Sequence, residues 1–185
     1  ILLKGRLLDV TLGDPFSNVA LEEALFKVLR APTLRAWVNQ RSVVIGRAQL
    51  AEFETDLGYC RSHSVPVVRR FTAGGTVYNG PGNLNWSFII PNDSWNGDTR
   101  FAEAKQVFSS FAVLAVDALR TCGVGSEFKP PNTIVDGSGK ISGMAAYLSK
   151  DAVLCHGTLL VDADLNQVER LTRPGRVSLK KRYPR

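Results

Sequence analysis

Short apolar blocks separated by polar turns run through most of the chain, with stretches of helical spacing between them. Leu7 to Leu12 predicts a short strand. Ser17 or Asn18 offers a cap for a helix whose core face is Leu21, Leu25, Val28 and Leu29, and Pro32 ends it. Leu34 to Val38 and Ser42 to Ile45 predict a hairpin around Asn39-Gln40-Arg41, and Phe53 to His63 predicts a helix. Val65 to Arg70, Gly75 to Tyr78 and Asn83 to Ile90 predict strands. Phe101, Ala104, Phe108, Phe111, Ala115 and Ala118 form the apolar stripe of a long core helix, stopped by Gly123. Thr133 to Asp136 and Lys140 to Leu148 flank a turn at Gly137-Ser138-Gly139. Ala152 to Val161 predicts a further strand, and Leu165 to Leu171 a short last helix. Clustered strands with few helices predict an α+β fold, a mixed/antiparallel sheet with helices packed on one face.

Length and composition narrow the class. The 185 residues fit one domain, 1–185, with a basic tail from about 170. The three cysteines are widely spaced, which argues against a disulfide framework and for a reducing, cytoplasmic setting. The absence of CxxC and the presence of only two histidines argue against structural zinc. No apolar run approaches the ~20 residues of a membrane span. The opening Ile1-Leu2-Leu3-Lys4-Gly5-Arg6 is too short in its apolar part for a signal peptide, and without an initiator Met the chain reads as trimmed. The net charge is +6, with part of the excess between Arg170 and Arg185. That tail reads either as a solvated terminus or as a surface for an acidic partner. No alternation of aromatic and basic residues supports a nucleic-acid partner.

The stretch from Arg69-Arg70 through Phe71-Thr72-Ala73-Gly74-Gly75-Thr76-Val77-Tyr78 to Asn83-Leu84-Asn85-Trp86 carries the strongest chemical signal. Arginines fork onto carboxylate or phosphate, and glycines let backbone approach a ligand where a Cβ would clash. A loop of this kind between two strands suits an anion held against a sheet. It has no Walker ending and no dinucleotide fingerprint. The same residues also fit a glycine-rich hairpin with surface arginines. Adjacent strand residues face opposite ways, so Arg69 and Arg70 are not expected to reach one ligand together.

Four ordered segments resemble the lipoate–protein ligase A family, within the wider group of biotin and lipoate ligases and octanoyltransferases. They are Asn18-Val19-Ala20-Leu21-Glu22-Glu23-Ala24-Leu25, Trp37 to Gln49, the glycine stretch, and Lys140-Ile141-Ser142-Gly143 continuing to Cys155-His156-Gly157-Thr158. The resemblance covers roughly Asp14 to Asp164 and implies that family's catalytic-domain fold. It implies an ATP-dependent ligase that turns lipoate or octanoate into acyl-AMP with Mg2+ and passes the acyl group to a lysine of a lipoyl carrier domain. The carriers implied are those of 2-oxoacid dehydrogenase complexes or the glycine cleavage H protein.

Residue by residue, the resemblance assigns Lys140 to the acyl carboxylate and α-phosphate, where a fixed cation meets developing charge. On position alone, a lysine at a hairpin mouth is usually a solvated surface group. Arg70 is the preferred arginine for the anion. Gly74, Gly75, Thr76 and Tyr78 belong to the binding loop, and Asn83 matches a position near the nucleotide, against the reading of a polar turn. Asn132 and Asp136 match a segment approaching the nucleotide and its Mg2+, with Asp136 as the metal-side residue and a turn residue as the alternative. His156 is implied in the acyl pocket and otherwise reads as a structural strand histidine.

Two departures from the family pattern stand out. Ala73 replaces a glycine, and Asn79-Gly80 stands where His-Asp is usual, which removes a titratable group. Octanoyltransferases of the superfamily use a cysteine thioester, but Cys60, Cys122 and Cys155 do not match the expected positions, and Cys155 reads as a buried thiol. The alternatives are therefore acyl transfer without ATP, or a non-catalytic relative that binds a lipoyl domain or acyl ligand. Many bacterial members carry a further C-terminal domain. Only the basic tail follows Asp164, so that domain is expected to be absent or on a separate accessory protein.

Overall fold

A computed structural model describes residues 5–92 and 104–173. Phe101 and the tail beyond Arg173 lie outside these residues. Among the described residues the strands form two sheets. The larger runs in the order β1 (Arg6–Asp9), β2 (Thr33–Trp37), β6 (Asn83–Pro91), β10 (Ala152–Leu160), β9 (Gly139–Leu148), β8 (Thr133–Asp136) and β7 (Ser126–Lys129). β1 and β2 are parallel, and the other neighbours are antiparallel. The smaller sheet has β3 (Ser42–Ile45) at its centre, parallel to β4 (Val67–Arg69) and antiparallel to β5 (Val77–Asn79).

The hairpin expected from Leu34 to Ile45 does not form. β2 pairs with β1 and β6, while β3 crosses to the smaller sheet. β3 is buried at all four positions and paired along both edges, so it had no edge left for β2. The helix expected over 53–63 is two short ones, α2 (Ala51–Glu54) and α3 (Leu57–Ser62). Asp56 separates them by accepting from Tyr59 N at 3.0 Å and capping the second.

Helix α1 (Pro15–Val28) starts one cap earlier than expected, where Asp14 accepts from Ser17 N at 2.9 Å. Its buried face is Pro15, Asn18, Val19, Glu22 and Phe26, not the leucine face, and Val28 is 64% exposed. The spacing is helical, but two of the five positions are polar, and that hid the true stripe from the pattern. Asn18 ties down the entering chain, accepting from Leu12 N and donating to Leu12 O.

The long helix α4 (Ala104–Thr121) packs Val107, Phe111, Ala112 and Val116 against Trp86, Ile90, Ile141, Met144, Val153 and Cys155. Phe26 of α1 packs against Ile89, Ala152 and Leu154. Side chains alternate along β6 and β10, so these are opposite faces of the large sheet. The expectation of helices on one face is corrected: α1 covers one face and α4 the other. Gly123, at φ +81°, lets the chain leave α4. Helix α5 (Leu165–Leu171) forms as expected, capped by Asp164. No helix among the described residues is long and apolar enough to cross a membrane.

Candidate active site

α1, β9, β10 and the smaller sheet enclose a cleft of about 160 Å3. Seven of the expected site residues line it: Arg70, Gly74, Gly75, Thr76, Asn132, Lys140 and His156.

The two arginines divide as their strand positions require. Arg69 points outward, and its Nη1 donates to the carbonyls of Gly46, Arg47 and Gln49 at 3.0, 3.1 and 2.6 Å. Arg70 is 6% exposed. Its Nε donates to Thr72 Oγ1 at 3.0 Å and its Nη1 to Val44 O at 3.3 Å. Its Nη2 donates to Ala73 O at 2.9 Å and Gly75 O at 2.8 Å. A guanidinium has five N–H groups, so one on Nη1 stays free. Four of the five N–H groups of the expected anion fork are therefore already spent on protein acceptors, two of them carbonyls of the loop. Burial pulls the Arg70 guanidinium down to about 10, opposed by the charge of Glu22, and it stays a cation at neutral pH.

The two loop glycines serve different ends. Gly74 sits at φ +102°, and a Cβ there would lie 2.9 Å from Arg70 Nη2. A Cβ on Gly75 would meet nothing within 4 Å. Protein packing thus accounts for Gly74, whereas Gly75 leaves space open beside the cleft. Thr76 Oγ1 lies 2.9 Å from Glu54 Oε2 and 3.1 Å from Gln49 Oε1, which ties the loop to the segment before β4.

His156 joins the loop to both neighbouring elements. Its Nδ1 lies 3.0 and 2.9 Å from the two carboxylate oxygens of Glu22, and its Nε2 lies 2.9 Å from Thr72 Oγ1. One assignment uses every donor: Arg70 Nε–H to Thr72, the Thr72 hydroxyl to His156 Nε2, and His156 Nδ1–H to Glu22. Glu22 is 2% exposed and lines the cleft, yet sequence reasoning gave it no role. The available signal was the pair Asn18 and Glu22, one helical turn apart on a face that also holds Val19 and Phe26. Arg35 was missed as well. It is fully buried, donates to Asn18 O at 2.8 Å and Asn18 Oδ1 at 2.7 Å, and lies 4.1 Å over the ring of Trp37, which lines the cleft.

Lys140 reaches the cleft because of a register shift. Val135 pairs with Lys140 but Ile134 with Ser142, so Ile141 is an extra residue. The bulge sends Ile141 into the α4 core and brings Lys140 and Gly143, three apart, onto one face. A Cβ at Gly143 would lie 3.2 Å from Lys140 Nζ, so this glycine gives the lysine its path. The spacing Lys-Ile-Ser-Gly is thus the imprint of a bulged strand. Among the described residues no carboxylate pairs with Lys140. Asn132 Nδ2 donates to Met144 O at 2.8 Å and holds the head of β8 to β9.

Three expectations are corrected. Tyr78 is packed with Val43, Ile45, Cys60, Val65 and Leu171 behind the smaller sheet, away from the cleft, and burial pushes its hydroxyl up. Asn83 is buried at the start of β6 and donates to Tyr78 O at 3.0 Å, so its amide serves the turn. Asp136 lies outside the cleft, where its carboxylate accepts from Ser138 Oγ, Ser138 N and Gly139 N at 2.6, 2.8 and 3.1 Å. Those bonds, the Ser138 hydroxyl first, hold its carboxyl below the usual carboxylate range. It closes the β8–β9 turn, and no cluster of three or more metal-ligating side chains occurs among the described residues. Asn79, at the position of the family's usual histidine, lines the cleft, and Asn39 Nδ2 donates to its Oδ1 at 3.4 Å.

Cys155 is fully buried in the α4 core, on the sheet face opposite His156, and burial pushes its thiol up. The three cysteines are all free.

Comparison with known proteins matches this geometry to a family. The model of the lipoyl protein ligase A/B catalytic domain matches residues 14–185. Lipoate–protein ligase 1 of Staphylococcus aureus is 34% identical over 169 residues, 90% of this chain and 49% of that protein. Lipoate-protein ligase A subunit 1 of Thermoplasma acidophilum is 33% identical over 179 residues, 92% of this chain and 68% of that protein. The chain spans about half the length of the first curated relatives it matches. Among solved structures, the bi-partite lipoate protein ligase of T. acidophilum superposes with a TM-score of 0.85 at 30% identity, covering 98% of this chain and 70% of that one. A lipoate-protein ligase A bound with ATP gives 0.82 at 28% identity, covering 97% and 81%. With that model matching residues 14–185 and relatives 33–34% identical over nearly the whole chain, this chain belongs to the lipoyl protein ligase A/B catalytic-domain family.

Proposed function

We propose that the chain is the catalytic part of an ATP-dependent lipoate–protein ligase. In the first step a carboxylate oxygen of lipoate attacks the α-phosphate of ATP, pyrophosphate leaves, and lipoyl-AMP forms. In the second step the ε-amine of a carrier lysine attacks the acyl carbon. AMP leaves, the amine loses a proton, and an amide remains. The observation that carries this reading is Lys140, a cation without a carboxylate partner among the described residues, aimed along Gly143 into the cleft beside a pre-formed glycine loop. A fixed cation at developing charge is worth most where it needs no reorganisation. The Arg70, Thr72, His156 and Glu22 chain holds the loop in shape around the space left at Gly75.

Lipoate as the acid is supported by a T. acidophilum relative with bound lipoic acid, 29% identical with a TM-score of 0.82 over 98% of this chain. ATP is supported by the ATP-bound relative. The described residues hold no group of three or more His, Cys, Asp or Glu side chains that could hold a metal, and Mg2+ is commonly bound by one or two carboxylates together with substrate phosphates. In this proposal it accompanies the nucleotide. The acceptor is the lipoyl domain of a 2-oxoacid dehydrogenase complex or a glycine cleavage H protein, in the cytoplasm. The T. acidophilum relative is bi-partite and was studied with its E2 lipoyl domain, which supports such a carrier and an accessory protein here as well.

The test is incubation with ATP, Mg2+ and lipoate, with and without a carrier domain and a candidate accessory protein. Pyrophosphate release followed by carrier lipoylation is expected. Acyl transfer from a carrier without ATP would establish the transferase instead, and neither activity would leave only a binding protein. The buried, up-shifted Cys155 thiol disfavours a thioester intermediate.

A further inference from the structure

A second concavity, about 770 Å3, lies beside the cleft. Three elements run from one to the other. On α1, Glu22 lines the cleft and Phe26 the groove; on β9, Ala145 and then Tyr147; on the glycine loop, Arg70 and then Phe71. The floor of the groove is apolar. Phe26, Phe71 and Tyr147 meet pairwise at ring-centroid distances of 5.7, 5.4 and 5.3 Å. The rim is cationic, with Lys27, Arg30, Arg47 and Lys150 against Glu23 and Asp151. Lys27 is paired with Glu23. Arg30 donates only to carbonyls at its own helix end, Leu29 O at 3.0 Å and Lys27 O at 3.5 Å. Arg47 lies 5.9 Å from the ring centroid of Tyr147. Among the described residues neither Arg30, Arg47 nor Lys150 has a carboxylate partner.

An apolar floor inside a charged rim is the anatomy of a protein interface. The rings close on one another rather than standing apart to take a base between them. Among the described residues the rim sets four cations against two carboxylates, a net positive charge, so its partner is acidic. We propose that this groove docks the acidic face of the carrier domain and so presents the acceptor lysine to the neighbouring cleft. The proposal rests on the ligase reading above for its acceptor. The steering it describes is electrostatic, so it raises encounter rate and weakens with salt.

The test uses the whole protein and the double variant Arg30→Glu/Lys150→Glu, with Arg30→Ala/Lys150→Ala as a milder companion. Both side chains are exposed, so melting temperatures should match the wild type. Hydroxylamine, a small nucleophile that needs no docking, reports acyl-AMP as the hydroxamate, and its rate should be unchanged. The KM for the carrier domain, and the Kd measured by direct titration, should rise at least about tenfold in the charge reversal. Added salt should raise the wild-type value and leave the variant's nearly flat. An unchanged carrier Kd overturns the docking site. A raised KM for ATP with falling hydroxamate overturns it too, because the groove would then hold the nucleotide. Carrier binding that depends on Arg30 and Lys150 without any hydroxamate from the wild type, with the accessory protein present, keeps the groove and removes the ligase reading.

Discussion

Thr72→Val is the sharpest test of the buried chain that shapes the glycine loop. Thr72 is fully buried, and Val keeps its shape while removing Oγ1. Arg70 Nε, at 3.0 Å, and His156 Nε2, at 2.9 Å, then lose their shared partner in a place water does not reach. Each stranded group costs about 1–3 kcal/mol, with the charged arginine toward the upper end, so the loss is about 4 kcal/mol. For a chain of 185 residues, a change of 1 kcal/mol moves Tm by about 2–4 °C, so Val should melt roughly 10 °C lower. Thr72→Ser restores the hydroxyl and gives up one methyl, about 1 kcal/mol. Melting curves separate the two variants, and lipoate-dependent pyrophosphate release follows the loop itself. Activity should fall in Val and return in Ser, chiefly through KM for the acid. If Val melts with the wild type, or if Ser melts as low as Val, the chain does not hold the loop and the reasoning fails.

Other outcomes follow from single contacts. Lys140→Ala should melt like the wild type, because the side chain is exposed, while acyl-adenylate formation drops about a hundredfold, equivalent to about 3 kcal/mol; near-normal pyrophosphate release would remove Lys140 from the chemistry. Gly74→Ala should destabilise the protein by about 1–2 kcal/mol through its positive φ, with crowding of Arg70 adding to that cost, whereas Gly75→Ala should leave Tm alone and weaken acyl-acid binding. Equal melting temperatures for the two alanine variants would contradict that division. Asp14, Asp56 and Asp136 each have a carboxyl lowered from 3.8 by hydrogen bonds to nearby donors in caps and turns. The unfolded chain therefore binds more protons as pH falls below that value, and the stability they supply is present above it and lost through the folded pKa values. Acid titration of Asp14→Asn/Asp56→Asn/Asp136→Asn should show a flatter loss below pH 3.8 than the wild type, and parallel curves would refute the assignment.

Much of this molecule is legible from local pattern. The strands from Thr133 to Leu160, the turn between β8 and β9, helix α5 and the glycine stop after α4 fall where short-range spacing and turn chemistry put them. The Lys140 motif and the glycine loop were also visible, since bulges, positive φ and close backbone approach leave particular residue types at particular offsets. What pattern could not supply was the partner of each element and of each buried polar group. Two apolar strands next to each other in sequence read as a hairpin, yet β2 and β3 went to different sheets because other strands took their edges. α1 was turned to its leucine face because apolar period assumes that polar residues face water. Asn18 and Glu22 face inward because Leu12 on the entering chain and Arg35 and His156, farther along the sequence, satisfy them there. Arg70 read as an open fork because no sequence spacing tells that Val44, Ala73 and Gly75 turn their carbonyls toward it. Residue type determined which chemistry the chain has available. Desolvation, which only the assembled sheets and helices impose, decided which of those groups must spend their hydrogen bonds on the protein and which, like Lys140, keep no carboxylate partner among the described residues.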